Sequence, residues 1–371
     1  MHRFFVCRLL LASLLFLRYV IGTSYYGDMV FQPYVVGPPG QMALSLGDTP
    51  SSCVVSWVSS LNRVSCSATT GWPEIFEVDN DIFGYNASVY YGQVSWEPTD
   101  GTTNDSPAPP FAHTQLDYAS IYTEGRCGTN RLMHSVLLKD CFPGRSFRYS
   151  VRTLQINRTE LVPVTGWSTP LNARIRTNDT STPLNIAIVA DINAGNGSAI
   201  DAATKLTVAG DLDIAVACGD LAYNVDNNCG SVGDDFFAAL QSISSRIPFH
   251  FVFGDHEVFR QADPYNNQRN GFDYEAVMAR FGRTTNGGQL FLAQKSLSPT
   301  LHYFSWTVGL VHFVFLQTNA YVHQAMYWLL PIQYEWLKND LAKVLPSSPT
   351  KLFFNLLLLG TTRSTVLRIR G

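Results

Sequence analysis

Ile186-Ala187-Ile188-Val189-Ala190-Asp191, Ile214-Ala215-Val216-Ala217-Cys218-Gly219-Asp220 and Phe249-His250-Phe251-Val252-Phe253-Gly254-Asp255-His256-Glu257 repeat one pattern, a short apolar run that stops at a carboxylate. Runs this short, rich in branched and aromatic residues and bounded by glycine, read as buried strands of an α/β sheet. Asp191, Asp220 and Asp255 then gather at the carboxyl ends of neighbouring strands, where open α/β sheets place their sites. Between the strands, residues 198–209 and 233–246 predict helices, the second with Phe236, Phe237, Leu240 and Ile243 on one face. Strand, helix, strand, helix, strand is the order of parallel β-α units.

Downstream, residues 301–306 and 310–316 read as a strand pair joined around Thr307-Val308-Gly309. Pro331 suits the first position of a helix whose Tyr334, Leu337, Leu341 and Val344 share a buried face. Residues 352–359 are almost continuously apolar and predict a core strand, while the tail 360–371 shows neither cap nor packing pattern and reads as an abrupt ending. The polar excursion 263–288, with a helical stretch at 274–281, is placed to shape a substrate mouth beside a strand end. Upstream, residues 33–178 alternate strand-like runs (42–46, 54–58, 89–91, 133–138 and 146–151) with turns at 47–50 and 142–144, the character of a β-sandwich. Residues 97–112 read as a surface loop, and the polar stretch 178–183, ending in proline, as the domain boundary.

At 371 residues the chain is long enough for two cores. Charged residues make up 15% and the net charge is -3, which argues against a nucleic-acid partner held by a broad basic face. Met1-His2-Arg3, followed by the apolar run 9–17, fits a signal peptide over residues 1–23. The competing reading, an uncleaved anchor, is disfavoured because the run is too short for a stable membrane span. Its removal leaves six cysteines, at 53, 66, 127, 141, 218 and 229, an even count that suits a secreted or extracellular protein without fixing any pairing, and the lysosome is the alternative address. Cys218 and Cys229 flank Asp220, so a local disulfide and a buried thiol are both open. Glycosylation sequons begin at Asn86, Asn104, Asn157, Asn178 and Asn196, consistent with the secretory route.

Asp191, Gly219-Asp220-Leu221-Ala222-Tyr223 and Gly254-Asp255-His256-Glu257 together resemble the first three signature blocks of the purple acid phosphatases, within the calcineurin-like metallophosphoesterase superfamily. Residues 42–48, 54–57 and 137–144 resemble the fibronectin type III-like amino-terminal domain of the high-molecular-weight branch, and 311–316 and 333–337 are also similar to that family. The resemblance implies a fibronectin type III-like β-sandwich (33–178) followed by an α/β metallophosphoesterase domain (184–371). It implies an acid phosphatase that hydrolyses phosphate monoesters by in-line attack of a metal-bound hydroxide. Its metals are Fe(III) and a second divalent ion, iron, zinc or manganese. By the same resemblance Asp191 and Tyr223 bind the ferric ion, Asp220 bridges the pair, Asp255 is a further metal ligand, and His256 contacts phosphate and protonates the leaving group. Oxygen donors of this kind suit hard metals, and imidazole titrates in the range acid catalysis needs. Related large enzymes form homodimers, so a homodimer is a further expectation of the resemblance.

Residue chemistry supplies competing readings. An Asp at a strand end also serves as a cap, a Tyr as a core aromatic, and Glu257 reads as a cap or supporting group rather than a catalyst. His302 and His312 read as packed or hydrogen-bonded residues. The family has asparagine where this sequence has Asp255, so Asp255→Asn, which removes negative charge beside a phosphate site, is expected to raise turnover. Unchanged turnover under saturating metal would contradict that. No histidine follows His323, whereas the family carries two further histidine-bearing blocks. The expectation is therefore a domain incomplete at its carboxyl terminus, with a noncatalytic homologue, a binding protein or an incomplete gene product as alternatives.

Overall fold

Alternating burial builds the amino-terminal half. The computed structural model describes residues 35–47, 49, 51–62, 90–99, 108–124, 129–157, 160–177, 179–192, 197–223, 225, 227–228, 230–254, 256–257, 280, 303–322, 327–344, 352–356 and 365–369, and all of these belong to one contact unit. The strands are β1 (Val35–Leu46), β2 (Cys53–Asn62), β3 (Tyr90–Thr99), β4 (His113–Tyr118), β5 (Ser120–Glu124), β6 (Thr129–Leu138), β7 (Ser146–Asn157), β8 (Glu160–Pro163) and β9 (Leu171–Arg174). They form two antiparallel sheets, ordered β1-β2-β6-β5 and β4-β3-β7-β8, with β9 paired to β7. Leu44, Val55 and Trp57 of the first sheet meet Val94, Trp96, Phe147, Tyr149 and Val151 of the second in one core. The run expected at 89–91 continues to Thr99, because Val94 and Trp96 carry the apolar alternation into residues first read as loop. Gly92 is needed there: a Cβ would lie 2.7 Å from Trp57 and 2.9 Å from His134. A disulfide joins Cys53 to Cys141 across 88 residues, inside this core.

The second half starts with β10 (Leu184–Val189), α1 (Gly197–Ala209), β11 (Ile214–Cys218), α2 (Ser231–Ser244) and β12 (Phe249–Val252). β10, β11 and β12 are parallel neighbours, as their sequence order predicts. Ile186, Ile214 and Val216 point to one side of this sheet, and Ala187, Ala215 and Ala217 to the other. The alanine side leaves room for helices, and Phe236, Phe237, Leu240 and Ile243 of α2 fill it, the face read from the sequence.

Next come β13 (Phe304–Val308), β14 (Val311–Phe315), α3 (Asn319–Val322), α4 (Leu329–Val344), β15 (Leu352–Leu356) and β16 (Thr365–Ile369). β13 and β14 form an antiparallel hairpin, and β15 joins β14 in parallel. Phe304, Val308, Val311, Phe313 and Phe315 pack onto the branched side of the first sheet. Thus two sheets enclose a core, with α1 and α2 outside. Two expectations fail. Tyr334 is exposed, although Val344 is buried as expected, because α4 turns Leu329 and Gln333 inward in its first half, where Gln333 accepts a hydrogen bond from the Gln317 backbone at 2.8 Å. The tail read as patternless contains β16, which pairs antiparallel with β10 through Leu184↔Ile369 to Ile188↔Thr365.

The two halves are fastened by named bonds. Tyr149 donates its hydroxyl to Ser245 O at 2.9 Å, Met42 N donates to Gln241 Oε1 at 3.0 Å, and Ser244 Oγ donates to Met42 O at 2.8 Å. His312, between Thr307 and Asp340 at 2.8 Å each, is a hydrogen-bonded residue of the β14–α4 contact, as expected. Burial opposes ionisation of Asp340, but His312 and Ser305 hold it below the usual carboxylate range. Among the described residues no helix is long and apolar enough to cross a membrane. Residues 1–23, the excursion 263–288 except Arg280, His302, His323, Cys66, Cys127 and Cys229 lie outside the described residues.

Candidate metal centre

Strand ends bring the predicted residues together. Asp191 follows β10 and Asp220 follows β11, and the two turns run side by side: Asp191 N donates to Gly219 O, Ala222 N donates to Ile192 O at 2.8 Å, and Ile192 bridges Leu221. Asp191, Asp220, Ala222 and Tyr223 all take positive φ, between 52° and 63°. Such values cost a non-glycine residue roughly 1–3 kcal/mol, and clusters of them mark sites where the surroundings over-determine the backbone. The result is that Tyr223 turns back to donate its phenol to Asp191 Oδ1 at 3.1 Å.

His256, on the turn after β12, lies with its ring 4.6 Å from that of Tyr223, and its backbone N–H donates to Asp220 Oδ1 at 3.2 Å. Gly254 makes this approach feasible. A Cβ there would fall 2.1 Å from Asp220 Oδ1 and 2.6 Å from Asp220 N, so only glycine leaves space for the carboxylate. Glu257 is the brace beneath: its two oxygens accept from the N–H groups of Asp220, Leu221 and Gly254. Burial pushes its carboxyl up to about 8, against the pull of those three donors. It thus fills the capping role read from the sequence, joining the turns after β11 and β12.

Four of the five predicted residues, Asp191, Asp220, Tyr223 and His256, are therefore linked in one continuous contact chain, while Asp255 lies outside the described residues. Cys218 is a free, half-buried thiol, pushed up to about 12 by burial. The donor chemistry fits a hard cation. Asp191 Oδ2 is buried and has no hydrogen-bond partner among the described residues, while the other oxygen of the same carboxylate, Oδ1, accepts from the Tyr223 phenol. Among the described residues no group of three or more His, Cys, Asp or Glu is gathered that could hold a metal. The sequence marked Gly254 as the glycine that bounds β12 and opens the Asp255-His256 block, but not the close approach to Asp220 that requires it.

Residues 184–354 match the family described as calcineurin-like phosphoesterase. The acid phosphatase type 7 of Danio rerio is 27% identical over 239 residues, covering 62% of this chain and 45% of that protein. The acid phosphatase type 7 of Homo sapiens is 25% identical over 286 residues, covering 75% and 56%. Purple acid phosphatase 15 of Arabidopsis thaliana is 33% identical over 105 residues, covering 28% and 16%. The chain spans about half the length of the acid phosphatase type 7 proteins it matches.

Proposed function

We propose that this chain, which carries a calcineurin-like metallophosphoesterase domain at residues 184–354 and is homologous to the purple acid phosphatases, is a phosphate monoesterase working through a metal pair at the ends of β10, β11 and β12. The observation that carries this reading is the buried carboxylate of Asp191, whose Oδ1 accepts from the Tyr223 phenol while its Oδ2 has no partner among the described residues, on turns whose backbone is held in a costly conformation. Asp191 and Tyr223 would hold Fe(III), Asp220 would bridge, and Asp255 would serve the second ion, iron, zinc or manganese. When bound, the metals offset phosphoryl charge and lower the pKa of a water.

The chain's own residues do the rest. Glu257 fixes the Asp220 turn through three N–H groups, and Gly254 keeps the carboxylate's space open. His256 is the proton donor in this reading: its imidazolium passes a proton to the departing alkoxide oxygen as the P–O bond breaks. We assign the paired antiparallel sheets of residues 33–178 to a fibronectin type III-like domain, residues 184–371 to the phosphoesterase domain, and residues 1–23 to a signal peptide. The Cys53–Cys141 disulfide supports a secreted protein.

The test is phosphate release from an aryl phosphate by full chain supplied with Fe(III) and Zn(II). Asp191→Ala and Asp220→Ala are expected to lower it by at least the ~100-fold that losing an outer partner of a metal ligand can cost. Tyr223→Phe is expected to abolish a visible phenolate-to-iron band. One observation favours a second reading, a noncatalytic homologue with a binding role: the absence of a three-residue metal cluster among the described residues. A folded wild-type chain that takes up no metal would establish that reading instead.

A further inference from the structure

Side chains alternate along β14. Val311, Phe313 and Phe315 enter the core between the two sheets, whereas His312 and Leu316 turn to α4, one bonded to Asp340 and the other packed in the Tyr303–Trp336 cluster. Continuing this alternation puts Gln317 in the inter-sheet row, two residues beyond Phe315. The hairpin start at Val308–Val311 lies against Leu184, the first residue of β10, so β14 runs toward the carboxyl ends of the parallel strands. Asn319 confirms where it arrives: its Nδ2 donates to Phe253 O at 3.2 Å, one residue before Gly254. Gln317 therefore ends the core row on the side of the Asp220 and Gly254 turns.

Its side chain is out of place by ordinary rules. Gln317 is 1% exposed, and neither Oε1 nor Nε2 has a hydrogen-bond partner among the described residues. A buried, unsatisfied carboxamide opposes folding, and an apolar residue of the same length would avoid that cost. Asp191 Oδ2, the atom that carries the metal reading, likewise has no hydrogen-bond partner among the described residues.

We propose that Gln317 is a positioning residue of this site: its carboxamide orders, from beneath the Asp220 turn, a water that accompanies a bound oxyanion. The inference rests on the phosphoesterase reading, since it assumes that the site binds phosphate. A buried water needs two to four polar partners, and Gln317 offers a donor and an acceptor to one oxygen. Residues that improve a site at the expense of the empty fold are a familiar form of the stability and function trade-off.

The test uses the full chain with Zn(II) and inorganic phosphate, reading melting temperature and phosphate affinity by calorimetry. Gln317→Met is expected to melt a few degrees above wild type without ligand, yet to bind phosphate about tenfold more weakly and gain less from it. Gln317→Glu, which keeps the Oε1 acceptor but replaces the Nε2 donor with a second acceptor, is expected to weaken phosphate binding as well. A Gln317→Met chain that binds phosphate as tightly as wild type would overturn the role of Gln317 while leaving the phosphoesterase reading intact. A wild-type chain that binds neither zinc nor phosphate would overturn both.

Discussion

Asp234→Ala is expected to destabilise the folded chain by about 3–5 kcal/mol, the loss that follows when a buried charge network is stripped of one partner. Asp234, in the first turn of α2, accepts from Arg131 Nε and Nη2 at 2.9 and 2.7 Å, from Arg280 Nη2 at 2.8 Å, and from Gln41 Nε2 at 2.9 Å. The guanidinium side chains are only 4% and 2% exposed, against 30% for Asp234, so the anion is the member nearest water. Burial opposes its ionisation, but Arg131 and Arg280 hold it below the usual carboxylate range. Removing it takes from two nearly buried cations the negative charge they share. It also unfastens β1 and β6 from the helix that follows the Asp220–Tyr223 turn. Asp234→Asn keeps an acceptor for Gln41 and should fall between the two. Denaturant unfolding of the three proteins measures this, and a loss below about 1 kcal/mol in Asp234→Ala, the scale of an exposed pair, would contradict the network's role.

That network was invisible in the sequence for a physical reason: Arg131 and Asp234 are 103 positions apart, and no local period links them. What was legible has a short-range cause. Buried strands announce themselves by branched residues next to glycine, and the inward face of α2 by the spacing of Phe236, Phe237, Leu240 and Ile243. Reading α4 by the same period misplaced Tyr334, because a polar residue, Gln333, takes the buried position to bond the Gln317 backbone. β16 was missed because its backbone pairing with β10 is a tertiary event in a segment of only five residues. At the candidate site, the strand-end positions of Asp191 and Asp220 were legible, and the structure links them with Tyr223 and His256. The positive φ values that bring Tyr223 onto Asp191 fall on non-glycine residues and carry no compositional mark.

Lowering the pH from 7 to 5 is expected to withdraw about 4 kcal/mol of stability through two histidines that are not among the candidate site residues, about 2 from each, at ~1.4 kcal/mol per pKa unit. His134 is stacked on Trp57 at 4.6 Å with Nε2 beside Thr153 Oγ1, and His250 lies 4.8 Å from Trp306 with Nε2 accepting from Leu46 N. Burial pushes both down to about 3. In each ring Nδ1 has no partner among the described residues, so protonation gains no new bond to offset desolvation. Between pH 6.5 and 3 the unfolded chain takes up protons that the folded chain refuses. The contribution is therefore complete above about 6.5 and declines as the pH falls. Glu257 acts in the opposite sense, since a carboxyl raised to about 8 lets the folded state hold a proton that the unfolded state releases down to about 4.5. Comparing variants with wild type cancels that term. His250→Gln, which keeps an acceptor for Leu46 N, and His134→Gln should each lose about 2 kcal/mol less than wild type between pH 7 and pH 5 by denaturant unfolding. Equal losses in all three proteins would mean that the rings are charged in the fold. If the rings instead stay neutral in the fold, stability in acid falls to the features that do not depend on them, the Cys53–Cys141 disulfide and the Arg131–Asp234–Arg280 network.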